Sequence, residues 1–197
     1  MTIDELAECL ALSRTTIFSW VRDLPVPGSG PGTGLPTWGQ ELGTKAMQRK
    51  YCLLREGAYE EGQTSFDALV ADPTFRDFVC LYIAEGYKRN RNTVAISNSD
   101  PLVMSLADRW MHRLTKRTLA YSLQYHADQE LEELKRFWGA TLGVDGDRIR
   151  LQRKSNSNQL TGRIWRCEHG VLQVAAYDTL LRAKLQAWMD CLRASWA

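Results

Sequence analysis

The chain has 197 residues, 44% of them apolar, with seven Trp and seven Tyr, enough for one domain of ordinary size and a smaller one. A net charge of +2 gives no global attraction to polyanions, so any basic surface has to be local. Five cysteines, odd in number and scattered without a C-x-x-C, argue against a disulfide scaffold or a structural zinc site, and no apolar run approaches the length of a membrane span. The first residues are acidic where a signal peptide is basic, so a cytoplasmic location is expected.

Residues 1–24 read as two short helices. Thr2 and Glu5 form a capping box, and Ile3, Leu6, Ala7 and Leu10 make an apolar stripe. Ala11 and Leu12 turn the chain, Ser13 caps the next helix, and Ile17, Val21 and Leu24 face inward before Pro25 stops it. The polar outer face carries Arg14, Thr15, Thr16, Phe18, Ser19 and Arg22. The pair resembles a helix-turn-helix, and the resemblance implies that these side chains meet phosphates and base edges in a major groove. Residues 25–40 form a linker: residues 25–36 hold four of the six prolines and four glycines without one charge. Twelve such residues reach on the order of 20 Å.

A connecting helix is expected within 41–72, centred on 41–63, with Met47, Tyr51, Leu54 and Ala58 on one stripe. Its cations come early (Lys45, Arg49, Lys50, Arg55) and its carboxylates late (Glu56, Glu60, Glu61), against the helix dipole. The basic half therefore has a partner elsewhere or is a solvated face.

Asp72-Pro73 marks the start of the C-terminal domain, 73–197. The helix from about Thr74 to Glu85 contains Phe78-Val-Cys-Leu-Tyr-Ile-Ala-Glu-Gly86. Cys80 and Ala84 are small and one turn apart, so a second helix can come close there, and Gly86 is expected to close the helix at positive φ. Strands follow near 87–90 and at 93–97, and Asp100-Pro101 opens a helix burying Val103, Leu106, Trp110 and Leu114. Leu119, Tyr121, Leu123 and Tyr125 alternate as a strand. Asp128 is expected to cap a helix with Leu131, Leu134, Trp138 and Leu142 inside. In the strand 148–154, Arg148, Arg150, Gln152 and Lys154 share one face, and Arg163 and Arg166 in a strand at 162–167 add to it. A strand at 170–174 and a last helix over 178–196, burying Leu181, Leu185, Trp188 and Leu192, complete the chain.

The segment 78–86, with its continuation through Pro101, resembles the LAGLIDADG motif of homing endonucleases and their non-cleaving relatives. Cys80 and Ala84 match its small positions, Glu85 its metal-binding acid and Gly86 its closing glycine, while Ile83 replaces the earlier acid. The resemblance implies an α+β fold with an αββαββα core. With a single motif, it also implies a homodimer paired through helix 75–85. Lys88, Arg89 and Arg91 would join the DNA-facing set.

Two functions follow from the resemblance. One is a bacterial transcription regulator, nucleoid-associated when DNA-bound, that reads duplex DNA without a cofactor. The alternative is a Mg²⁺-dependent endonuclease using Glu85, with Lys154 near the scissile phosphate. A bare dimerisation scaffold is the third possibility. His112, His126 and His169 lack metal-ligand spacing, although His126 after its strand is expected to be exposed.

Overall fold

The computed structural model describes residues 3–21, 38–154 and 167–196, and these form an α+β protein. The chain divides into two units, 1–51 and 52–197, at a point inside one long helix. None of the helices described is long and apolar enough to cross a membrane.

In the first unit, α1 (Ile3–Leu10) and α2 (Arg14–Val21) are joined by a turn in which Ala11 adopts φ 50. Ser13 caps α2: its Oγ accepts from the Thr16 amide at 3.2 Å. Ile17 is buried, whereas Leu10 is exposed and not part of an inner stripe. Leu24 and the Gly/Pro-rich stretch lie outside the described residues.

The long helix α3 (Trp38–Val70) starts inside the segment expected as linker and continues past residue 63. No proline interrupts it before Pro73, and isolated glycines weaken a helix without ending it. The expected stripe fails at its upper end: Met47, Tyr51 and Leu54 are exposed. Burial starts at Ala58 and continues through Gly62, Ser65, Phe66 and Leu69, the spacing of one helix face. Gly62 is needed there, because a Cβ would meet the Ala187 Cβ and the Lys184 carbonyl oxygen at 2.9 Å.

The second unit is a sheet with helices on one side. Its strands are β1 (Val94–Asn98), β2 (Ala120–Tyr125), β3 (Ile149–Arg153) and β4 (Val171–Ala176), in the spatial order β1-β4-β2-β3. β4 is antiparallel to both β1 and β2. β3 runs parallel to β2, as the intervening helix α6 (Leu131–Leu142) permits. Val94, Ile96, Tyr121, Leu123, Ile149, Leu172, Val174 and Ala176 point to one side. They meet α4 (Pro73–Glu85), α5 (Pro101–Leu114), α6 and α7 (Thr179–Ala194). Phe75 of α4 ties two of these helices together, with edge-on contacts to Trp110 at 5.0 Å and Trp188 at 5.2 Å.

Three aspartates open helices where the chain pattern places them. Asp72 accepts from the Thr74 amide, Asp100 from Leu102 and Val103, and Asp178 from Leu180 and Leu181. Burial alone would push the Asp178 carboxyl up. The Thr115 hydroxyl and the two amides outweigh it and hold the group below the usual carboxylate range. Asp128 does not cap α6, which starts three residues later after Glu130 without a side-chain cap.

Other expectations are corrected too. No strand forms at 87–90, where Lys88, Arg89 and Asn90 are all exposed; pairing is limited to a Gly86–Ile96 bridge and a Tyr87 amide bond to the Ala95 carbonyl oxygen. Gly86 has φ −68, an ordinary value. It must be glycine because a Cβ would lie 2.5 Å from Tyr82 Cδ2. Close approach, not handedness, selects it. Val103, Leu106 and Leu114 are only half-buried, since Met104, Ala107 and Met111 hold the inner face of α5. The strand at 162–167 lies outside the described residues apart from Cys167, which is not in a strand.

Candidate nucleic-acid interface

Period-two geometry gives each strand a second face, and on this sheet that face is polar. The register places Ser97 opposite Gln173, Gln173 opposite Ser122, and Ser122 opposite Arg150. These four residues form a straight row across all four strands, about 14 Å long at the usual strand spacing. Gln173 Nε2 donates to Ser97 Oγ at 3.0 Å, and Ser122 Oγ reaches Gln173 Oε1 at 3.5 Å. One neighbouring row is Ala95, Ala175 and Ala120; the other is Val171, Gln124 and Gln152. The face grades from buried alanines to exposed Gln124, Arg150 and Gln152.

Small and amide side chains leave room for a ligand over the strands, and Ser, Gln and Arg are hydrogen-bonding types for base edges. Attention to the inward alternation hides Ser97, Ser122, Gln124 and Gln173. The outward positions of the same strands would have revealed them.

The cationic strand face is smaller than its sequence suggests. Arg148 belongs to a 3-10 turn, Gly146–Arg148, which breaks the alternation before β3 begins. Its guanidinium stands 5.6 Å from the centre of the Tyr121 ring, on the helix side of the sheet. Arg150 and Gln152 remain on the polar face. Lys154 follows them, exposed, its amide bonded to the Tyr125 carbonyl oxygen at 3.0 Å. Arg163 and Arg166 lie outside the described residues.

Tyr121 anchors this edge from beneath. Its hydroxyl donates to the buried Asp108 Oδ1 at 2.8 Å, and His112 Nδ1 is 3.2 Å from Asp108 Oδ2. Burial, and then the Asp108 carboxylate, push the Tyr121 hydroxyl far above its ordinary value, so it stays a donor. His126 is buried rather than exposed.

At the end of α4, Glu85 and Ala84 are exposed and Cys80 is half-buried. Asp77, Cys80, Leu81 and Ala84 share the stripe opposite the buried Phe75, Phe78, Val79 and Tyr82. Lys88 folds back onto the helix, its Nζ donating to the Gly86 carbonyl oxygen at 2.9 Å. Arg89 and Arg91 are exposed in the loop that follows. A magnesium ion takes about six oxygens. Glu85 offers one carboxylate, and among the described residues no group of three His, Cys, Asp or Glu is arranged for a metal.

In the first unit, Thr15 and Ser19 are exposed on α2, as are Phe18 and Trp20. Arg14 Nε lies 3.1 Å from Asp4 Oδ1, an ion pair open to solvent on both sides and easily exchanged for a phosphate. Thr16 is less available. Its hydroxyl is bonded to Ser13 Oγ at 2.8 Å and takes part in the cap. Arg22 lies outside the described residues.

Comparison of the chain with protein-family models, with curated proteins and with solved structures found no match.

Proposed function

We propose that this protein binds double-stranded DNA and regulates transcription. The observation that carries the reading is the row Ser97–Gln173–Ser122–Arg150 on the sheet face turned away from the helices. Hydroxyl, amide and guanidinium groups there are of the kinds that contact bases, and Arg150 and Lys154 are exposed for phosphates. The polar exposed side chains of α2 support a second point of attachment, and the LAGLIDADG resemblance of residues 78–101 supports the same use of the sheet. On this reading a second copy pairs along Asp77, Cys80, Leu81 and Ala84.

The salt dependence of affinity for duplex DNA tests the proposal. Neutralising Arg150 and Lys154 together should flatten the slope of log affinity against log salt by about 1.8, roughly 0.9 for each lost phosphate contact. Arg148→Gln should leave the slope unchanged, because its guanidinium lies over Tyr121. No binding by the wild type, or an equal slope in all three proteins, refutes the reading. The endonuclease alternative has one observation in its favour, the exposed Glu85 beside the stripe at which a second copy would bring its own. DNA cleavage in Mg²⁺ that Glu85→Gln abolishes, with affinity kept, would replace regulation by cutting.

A further inference from the structure

A cavity of about 600 Å³ opens in the second unit between α3, the loop after α4 and α7. Its charged lining comes from three separate stretches of chain: Arg55, Glu56 and Glu60 on α3, Arg91 in the loop, and Arg182 on α7. None of these five forms an ion pair with another. The cations and carboxylates stand apart around an open space.

Arg182 is the unusual member. It is only 9% exposed, and its Nε is buried without a hydrogen-bond partner. Its Nη1 donates to Gln186 Oε1 at 3.2 Å, and Gln186 Nε2 donates in turn to the Asp190 carboxylate. The guanidinium lies 5.9 Å from the centre of the Tyr82 ring. The amide of Gln186 therefore orients the guanidinium without neutralising it. A buried guanidinium with no carboxylate against it among the described residues is costly for a fold to keep. Packing does not require it, since an apolar side chain of similar length would fill the same volume. Such a group is retained where an anion completes it.

We infer that this cavity binds a small phosphorylated molecule, with Arg182 as the buried anchor and Arg55 and Arg91 closing on the phosphate from the mouth. Three guanidiniums exceed what one carboxylate engages, whereas a phosphate offers acceptors to several forks at once. The volume suits a ligand of nucleotide size. Glu56 and Glu60 are exposed on the α3 side, placed for donor groups on the rest of the molecule. The cavity lies among helices and loop, not on the polar sheet face, and it does not depend on the DNA-binding reading.

The test uses the full chain, with inorganic phosphate as the probe and chloride at equal ionic strength as the control. Phosphate should raise the melting temperature of the wild type, as any ligand specific to the folded state does. Isothermal titration should show binding weakened about tenfold in Arg91→Gln and more in Arg182→Met, as loss of charge-assisted hydrogen bonds predicts. Arg182→Met should melt no lower than the wild type in chloride. Should that variant fail to fold, Arg182 is a structural group and the anchor assignment falls; Arg91→Gln, altered only at an exposed position, then still decides whether the cavity takes phosphate. An unresponsive wild type, or equal binding by wild type and Arg91→Gln, overturns the proposal. So does a flatter salt slope for DNA binding in Arg91→Gln, which would make this cavity a backbone-phosphate contact. Failure of the wild type to bind DNA at all would count against the regulatory reading and leave the phosphate result standing.

Discussion

The two faces of the sheet are built by the same strands and obey opposite rules. Toward the helices, Ile96, Leu123, Leu172 and Val174 are fully buried, with Tyr121 beside them, its hydroxyl satisfied by Asp108. On the far side the register lines up Ser97, Gln173, Ser122 and Arg150, and polarity increases toward the β3 edge. The inner face depends on volume, because a close-packed interior registers the loss of a single methylene. The outer face depends on chemistry, because solvent or a ligand can fill whatever a substitution leaves. Substitutions on the two faces should therefore separate stability from binding.

The largest expected loss of stability lies at the centre of the inner face. Leu123 has no exposed surface and packs between β3 and β4 beneath the helix layer. Leu123→Ala should cost about 2–5 kcal/mol, transfer and cavity terms combined. Chemical denaturation measures this directly. A cost under 1 kcal/mol would mean that the helices can collapse onto the gap, and that the inner face is less tightly packed than its burial implies.

Removing one oxygen from the same face sharpens the contrast. Tyr121→Phe keeps the ring and its contact with Arg148 but takes the donor from Asp108 Oδ1, leaving a buried carboxylate short of a partner. About 1–3 kcal/mol is expected. The loss should shrink in an Asp108→Ala background, where no carboxylate needs the donor. An equal cost in both backgrounds would assign the effect to packing around the ring.

What could be read from the chain beforehand follows the same division. The inner face was legible because apolar alternation is local: Tyr121, Leu123 and the α7 stripe Leu181, Leu185, Trp188 and Leu192 can each be found in a short window. The Asp100 cap was legible for the same reason, reinforced by the proline that follows, whereas Asp128 was read as a cap and is not one. The outer row was not legible as a row. Ser97, Ser122, Arg150 and Gln173 are far apart in sequence and become neighbours only when β4 inserts between β1 and β2 and β3 pairs with β2. Arg148 misled because a 3-10 turn shifts the alternation by one residue just before the strand. The arginine cavity was hidden more deeply still, since Arg55, Arg91 and Arg182 share no motif and no periodicity.

The smallest expected change in stability belongs to the outer row, and there the comparison can be broken most cleanly. Gln173 is half-buried at the centre of the sheet, bonded on one side to Ser97 and approached on the other by Ser122. Gln173→Ala removes both contacts but leaves two hydroxyls that water can reach, so stability should change by no more than about 0.5 kcal/mol. If the row reads bases, the same substitution should lower discrimination among DNA sequences by about 1–3 kcal/mol while total affinity for random DNA stays nearly constant. Binding measured against a randomised duplex pool, with wild type and variant side by side, reports both quantities. Unchanged sequence preference would confine DNA recognition to the first unit. A loss of several kcal/mol in stability would show that the row is an internal polar ladder holding β1, β4 and β2 together, and the two faces would then differ in chemistry but not in purpose.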